Sequence, residues 1–226
     1  MSAMTEHSAA ESSAAIAAYW DGAAPTFDEV PDHGLAAEPT RAAWAALLDS
    51  WLPPAPADVL DLGCGTGSLS LLLAQAGHRV VGVDLAPRMV ALAQEKHAAA
   101  QLPARFLVGD AAEPPTGSDR FDAILVRHML WTLPDPAAAL RTWVGRLRPG
   151  GRLVLVEGRW RESDQAVEPY APGIGTLPWD GGVRADELAA QVRPLVSELR
   201  IEPLSDRPEL WGQPVRDERY ALIAQI

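Results

Sequence analysis

The sequence predicts an α/β protein built on a doubly wound, mostly parallel sheet, and three observations carry that prediction. Residues 59–62 read as the end of a buried strand, with Gly63, Gly65 and Gly67 directly after it. An apolar helical pattern starts at Ser68. Strand, glycine turn and helix are thus in the order that opens a nucleotide-binding βα unit. Beyond it, short apolar runs and helical stretches alternate as far as Glu157, the rhythm of parallel strands joined by crossover helices.

Taken in order, residues 1–12 are small and polar and are expected to be disordered. A short helix is expected over 12–20, with Ile16 and Tyr19 available for packing. Residues 21–39 are rich in Gly, Pro and Asp and read as loop. Trp44, Leu47, Leu48 and Trp51 recur at helical spacing, so 40–52 reads as a helix whose tryptophans belong to the core. Pro53, Pro54 and Pro56 end it. The first crossover helix covers 68–76, with Gly77 as its C-cap. Strand 80–84 follows, and Pro87 opens a helix to about 99, in a first turn where its missing N–H costs nothing. Strands are expected at 105–108 and 123–126, then a helix over 136–147. Pro149, Gly150 and Gly151 turn the chain into a strand over 152–157. The rhythm breaks at 158–182, which holds three prolines and five glycines without periodicity; so long a loop at a strand's carboxyl end reads as a lid. A helix over 186–195, ended early by Pro194, and strands at 198–204 and 218–226 complete the chain. The expected division is a cap segment, 1–40, and a main domain, 41–226, with the lid inserted at about 158–182.

With 48% hydrophobic residues among 226, the chain can bury a full core. Its net charge of −11 argues against a general nucleic-acid binder, which needs a basic surface. Lys96 is the only lysine; the other cations are arginines. The single cysteine, Cys64, allows no intramolecular disulfide and reads as a small residue suited to a crowded turn. The N-terminus lacks a signal-peptide pattern and no apolar run approaches the roughly 20 residues that span a bilayer. A cytoplasmic protein, free of membrane, is expected.

The ligand is narrowed by the details of the turn. Its spacing is G-x-G-x-G, and Asp61 stands two residues before the first glycine. A carboxylate there would repel a pyrophosphate and suits a cationic ligand. Asp84, about 20 residues after the turn, is placed to bind a ribose diol. A ribose, a positive group and no phosphate describe S-adenosylmethionine.

The motifs V-L-D-L-G-C-G-T-G, V-V-G-V-D ending at Asp84 and F-L-V-G-D ending at Asp110 resemble those of class I S-adenosylmethionine-dependent methyltransferases. F-D-A-I-L-V-R-H-M-L-W-T-L-P-D-P (121–136) and L-R-P-G-G-R-L-V-L-V-E (147–157) resemble the next two. The resemblance implies a Rossmann-like sheet of seven strands with helices on both faces and an antiparallel edge hairpin. It implies that Gly63, Cys64, Gly65 and Gly67 line the methionine side of the cofactor and that Asp61 meets its amino group. Asp84 would hold the ribose, Leu85 and Met89 would pack on the adenine, and Asp110 and Ala111 would hydrogen-bond it. The segment around Tyr19, Trp20 and Phe27 resembles the N-terminal fold-over of small-molecule methyltransferases, or is an ordinary aromatic anchor.

Strand four delivers Arg127 and His128 to the site mouth. His128 is a general-base candidate, or shapes the pocket or touches the cofactor, or is structural; His33 is a second base candidate. Arg127 is grouped with the cofactor contacts. Trp131, Trp160 and Trp179 all follow strand ends and, with Trp20 and Phe27, would wall a flat aromatic or apolar substrate. No Asp/Asn/Glu cluster for magnesium is seen beyond the cofactor motifs, so no metal is expected. The reading is methyl transfer to O, N or C of a small metabolite by a monomer or homodimer. RNA base methylation, a non-catalytic cofactor-binding partner and a dehydrogenase are the alternatives.

Overall fold

The computed structural model describes residues 2–161, 174 and 176–226, with backbone alone for 2–10. Seven strands form one sheet: β1 (Asp58–Leu62), β2 (Arg79–Asp84), β3 (Arg105–Val108), β4 (Phe121–Arg127), β5 (Leu147–Arg159), β6 (Glu198–Pro203) and β7 (Glu218–Gln225). Their spatial order is β3-β2-β1-β4-β5-β7-β6. The first five are parallel, and β7 pairs antiparallel with β5 and β6. Chain order therefore reverses between β1 and β4, the switch point at whose carboxyl edge open α/β sheets bind ligands.

Side-chain alternation divides the core. Val59, Ala123, Leu125, Val154, Val156, Ala221 and Ile223 face one layer; Leu60, Leu62, Ile124, Val126, Leu153, Leu155, Tyr220 and Leu222 face the other. The period of two is the strand's own. By the same count Asp61, Arg127 and Arg219 fall on the first face, and Glu157 falls on the second with Tyr220. The first layer is covered by α3 (Glu38–Trp51), α4 (Ser68–Gln75) and the short α8 (Pro208–Trp211). The second is covered by α6 (Pro136–Arg146) and α7 (Ala185–Val192). Trp44, Trp51 and Trp143 are fully buried, as their helical spacing implies. Each indole N–H has an acceptor: Leu210 O, Glu202 Oε2 and Ala111 O at 2.9, 2.9 and 2.7 Å. Truncating one would cost about 3–5 kcal/mol.

Helix α5 (Pro87–Ala99) and β3 coincide with the sequence expectation. Three departures concern the rest. The helix expected over 12–20 is part of a longer α1 (Ser2–Ala23), and residues expected to be disordered or loop supply its two ends, a 3-10 turn over Ala24–Glu29 and α2 (Pro31–Gly34). Strand β5 starts at Leu147 rather than 152: Leu147 pairs with Phe121 and Arg152 with Ala123, and the Pro-Gly-Gly stretch is accommodated as a register shift. Helix α7 stops at Val192 and becomes 3-10 over Arg193–Leu195, where Pro194 removes a donor. Much of the expected lid, 162–173 and 175, lies outside the described residues.

Candidate active site

The turn after β1 is tied to the end of β2. Gly63 and Cys64 donate their N–H groups to Val83 O at 2.8 and 3.1 Å, and Gly65 donates to Asp84 Oδ2 at 2.8 Å. Gly63 has φ 67°, and a Cβ there would lie 2.7 Å from Met129 Cγ. A Cβ on Gly67 would lie 2.9 Å from Ala93 Cβ, so that glycine serves the close approach of α4 and α5. The same turn thus leaves open space on its other side.

That space is a cavity of about 840 Å³ at the carboxyl edge, within the range of small-molecule sites. One wall carries Asp61, Gly63, Cys64, Gly65, Asp84, Leu85, Met89, Asp110 and Ala111. Asp61 is 3% exposed and accepts from Ser70 Oγ at 2.6 Å. Burial pushes its carboxyl up to about 6, against that bond and the pull of Arg127. Burial also raises Asp84, although the N–H groups of Ala86 and Gly65 favour its charged form. Both gain from a cationic or donor ligand, and the glycines add no side chain of their own to the turn. The residues present therefore fit S-adenosylmethionine. Burial raises the Cys64 thiol well above its usual range, which makes it inert.

The rest of the lining is aromatic and basic and touches the glycine turn, since a Cβ on Gly65 would lie 3.3 Å from Phe27 Cε1. It carries Trp20, Phe27, Val30, Asp32 and His33 from the cap, Arg127, His128, Met129 and Trp131 from the end of β4, and Trp160, Gln213 and Arg219. Trp20, Trp131 and Trp160 meet edge to face, with centroids 6.3 and 6.1 Å apart. Phe27 stacks on His33 at 4.3 Å. His128 stacks on Trp211 at 5.7 Å, and its Nε2 is 3.4 Å from Arg219 Nη1. Burial first, then Arg127, Arg219 and His33, hold His128 well below the usual imidazole range. Burial also lowers His33, with Asp32 opposing it. Both imidazoles are therefore neutral at neutral pH.

His128 has φ 53°, in the left-handed region, a conformation uncommon outside Gly although His, Asn and Asp adopt it more readily than other residues. The next two N–H groups, of Met129 and Leu130, both donate to Glu157 Oε1 at 3.0 Å. This buried carboxyl is pushed up to about 8 by desolvation, so it holds the turn largely as the neutral acid. Trp131 Nε1 donates to His128 O at 2.7 Å. Backbone strain at the mouth of a site is over-determined here by three bonds.

The helical face Ser12, Ile16 and Trp20 of α1 reaches the cavity. Asp21 Oδ1 accepts the Arg88 N–H at 2.8 Å, which caps α5. Three expected site residues stand elsewhere. Tyr19 is 42% exposed, lies outside the cavity lining and meets Trp20 edge to face. Gly67 packs helices. Trp179 packs against the second core layer, because the N–H of Gly182 bonds its carbonyl at 2.9 Å and turns the chain inward. Sequence reasoning missed Arg219, Gln213, Met129, Ser12 and Ser13. No group of three metal-ligating side chains occurs among the described residues, nor any helix long and apolar enough to cross a membrane.

A methyltransferase-domain family profile matches residues 60–155. A ubiquinone biosynthesis O-methyltransferase of Xanthomonas oryzae pv. oryzae is 36% identical over 197 residues, covering 83% of this chain and 77% of that protein. A demethylmenaquinone methyltransferase of Thermus thermophilus is 41% identical over 112 residues, 49% of this chain and 51% of that protein. The chain thus spans about half the length of some curated relatives and three quarters of others. Among solved structures, N-methyltransferase NodS from Bradyrhizobium japonicum, in complex with S-adenosyl-L-homocysteine, superposes with a TM-score of 0.65 at 18% identity, covering 91% of this chain and 97% of that one. The fold, the glycine turn with its flanking carboxylates and the extended identity to full-domain relatives agree: the chain belongs to the class I S-adenosylmethionine-dependent methyltransferases.

Proposed function

We propose that the protein methylates an oxygen of a small aromatic metabolite. The observation that carries this reading is a single cavity whose lining joins the acidic, glycine-rich ends of β1 and β2 to a set of aromatic and basic side chains. Asp61, Gly63 and Gly65 would hold the amino-acid end of S-adenosylmethionine, Asp84 its ribose, and Leu85, Met89, Asp110 and Ala111 its adenine. When bound, that cofactor supplies a methyl group already activated by a sulfonium. The protein's own residues then have to position an acceptor and exclude water. Trp20, Trp131 and Trp160 wall the acceptor, and the cap roofs it. The names of the relatives, ubiquinone biosynthesis O-methyltransferase among them, support an oxygen on an aromatic ring. The net charge of −11 remains against RNA.

The test is transfer of labelled methyl from S-adenosylmethionine to a panel of phenols, aromatic amines and aliphatic alcohols. Label on phenols alone supports the reading. Label on amines or alcohols instead, or none on a protein that binds S-adenosylmethionine, would overturn it.

A further inference from the structure

Resting on that methyl-transfer reading, we infer that the cavity takes its aromatic acceptor as the phenolate, with the ionised oxygen received by Arg219, Arg127 and His128. The two arginines come from strands on either side of β5. Arg127 stands opposite Val156, Val156 opposite Ala221, and Arg219 two residues before Ala221. All four share the first face of the sheet, so both guanidiniums reach the same end of one cavity.

Their partners leave capacity on the cavity side. Asp217 takes the Nε and Nη2 groups of Arg219 at 2.8 and 2.9 Å, which leaves Nη1 directed at His128. The indoles of Trp160 and Trp211 flank this guanidinium at 5.2 and 5.1 Å, fixing its plane. Arg127 lies over Trp44 at 5.2 Å and donates to the backbone carbonyl of Asp32 at 2.5 Å. Among the described residues it has no carboxylate at ion-pair distance; Asp32 and Asp61 act on it from further away.

Asp32 and Asp61 share the cavity lining and partly balance Arg127 from a distance, but neither forms an ion pair with it among the described residues. His33 and His128 are neutral, and Glu157, behind the β4 turn, is held largely as its acid. Arg127 thus keeps guanidinium donors that, among the described residues, no carboxylate meets directly, in a largely desolvated part of the lining. A buried charge without a partner is costly, and an anionic ligand relieves that cost. The tryptophan walls require the anion to be carried on a flat ring. A phenol meets both demands once ionised. Its proton goes to bulk solvent on binding, so no side chain has to take it later.

The experiment titrates the full chain, saturated with S-adenosyl-L-homocysteine, with para-nitrophenol about one unit below that phenol's own pKa. The phenolate absorbance band reads the ionisation state of the bound ring. Saturable growth of the band is expected, with binding at least tenfold weaker in Arg219→Gln and partly restored in Arg219→Lys. In the wild type, benzoate should compete and benzyl alcohol should not. Binding as the neutral phenol, equal affinity in Arg219→Gln, equal competition by the alcohol, or no binding of the phenol at all would each overturn the inference. Calorimetry of S-adenosyl-L-homocysteine alone separates the two failures. Normal binding there leaves the methyltransferase reading standing when the phenolate inference falls.

Discussion

Lys96 Nζ lies 2.9 Å from Asp28 Oδ2, and this ion pair ties the cap to the cofactor turn. The same ammonium donates to Thr66 Oγ1 at 3.0 Å and Ser68 Oγ at 2.7 Å. Thr66 in turn donates to Asp28 Oδ1 at 2.5 Å. An ammonium has three donors in a tetrahedral spread, and all three are used; a planar guanidinium would not meet these acceptors. That gives a physical reason for one lysine in a chain otherwise furnished with arginine.

Lys96→Met should therefore loosen the cap without unfolding the sheet. The pair is partly exposed, 23% and 42%, so the effect is limited to about 1 kcal/mol, a threefold to tenfold loss of S-adenosylmethionine affinity. Lys96→Arg should not restore it. Hydrogen exchange should quicken over residues 24–34 and stay unchanged in β1 and β4. Unchanged exchange in the cap would show that the latch is incidental.

Asp84 has two duties that substitution can separate. Its carboxylate holds the N–H groups of Gly65 and Ala86 and, on the proposed reading, the ribose. Asp84→Ala should weaken S-adenosylmethionine binding at least tenfold, about 1.4 kcal/mol, as for a lost bond to a charged group. Asp84→Asn keeps an acceptor and should lose less. Calorimetry decides; full affinity in a folded alanine variant would remove Asp84 from the cofactor site.

Much of the fold could be read because punctuation was local. Pro87 and the stretch after β1 mark their own elements, and five parallel strands follow from apolar runs between them. The cap could be read that way only over 12–20. Residues 2–23 are alanine- and serine-rich without a wide apolar stripe, so nothing in periodicity separates the rest of that helix from a solvated tail. It is anchored by contacts distant in sequence, Asp21 to Arg88 and Asp28 to Lys96. Arg219 was invisible for a related reason: it reaches the cavity only because β7 is inserted beside β5, which brings it to His128 across 91 residues. Trp160 and Trp179 both follow the fifth strand, yet one enters the cavity and the other the core. Loop direction is set by the bridge between Arg159 and Gly182, which composition does not encode.

Glu157 should impress a pH dependence on stability. Its folded value, about 8, lies above an unfolded value near about 4.3. Between the two the folded state holds a proton that the unfolded state has released, so stability falls as pH rises through that window. Asp61, raised to about 6, adds the same sign over the lower part. Glu157→Gln mimics the neutral acid and should flatten the decline of Tm between about pH 6 and 8, ending more stable than wild type at the upper end. An identical slope in the variant would show that Glu157 titrates normally.

His128 can be assigned by the size of its effect. Asparagine tolerates the left-handed backbone, so His128→Asn removes the imidazole with little strain. If the acceptor arrives ionised, kcat should drop by about tenfold or less. A general base is worth about 10²–10⁴. A loss in that range, with the wild-type pH dependence of kcat abolished, would assign the proton to His128.

The cap supplies the roof of the cavity but little of the core. Within residues 11–33 only Ile16 and Ala24 are buried hydrophobics, whereas both large core layers draw on Leu35 and later residues. Deleting residues 1–33 removes Trp20, Phe27 and His33 from the aromatic wall. It also releases the carbonyl partner of Arg127 and opens the site to water. Water weakens every charge interaction inside and frees the acceptor to tumble, and both effects oppose proximity catalysis. The truncated chain is therefore expected to keep its sheet, read as unchanged far-ultraviolet circular dichroism and a cooperative unfolding transition. Methyl transfer should fall by at least a hundredfold, while S-adenosyl-L-homocysteine still binds with reduced affinity. Full turnover by the truncated chain would place the acceptor outside this cavity, and loss of the unfolding transition would show that the cap belongs to the core after all.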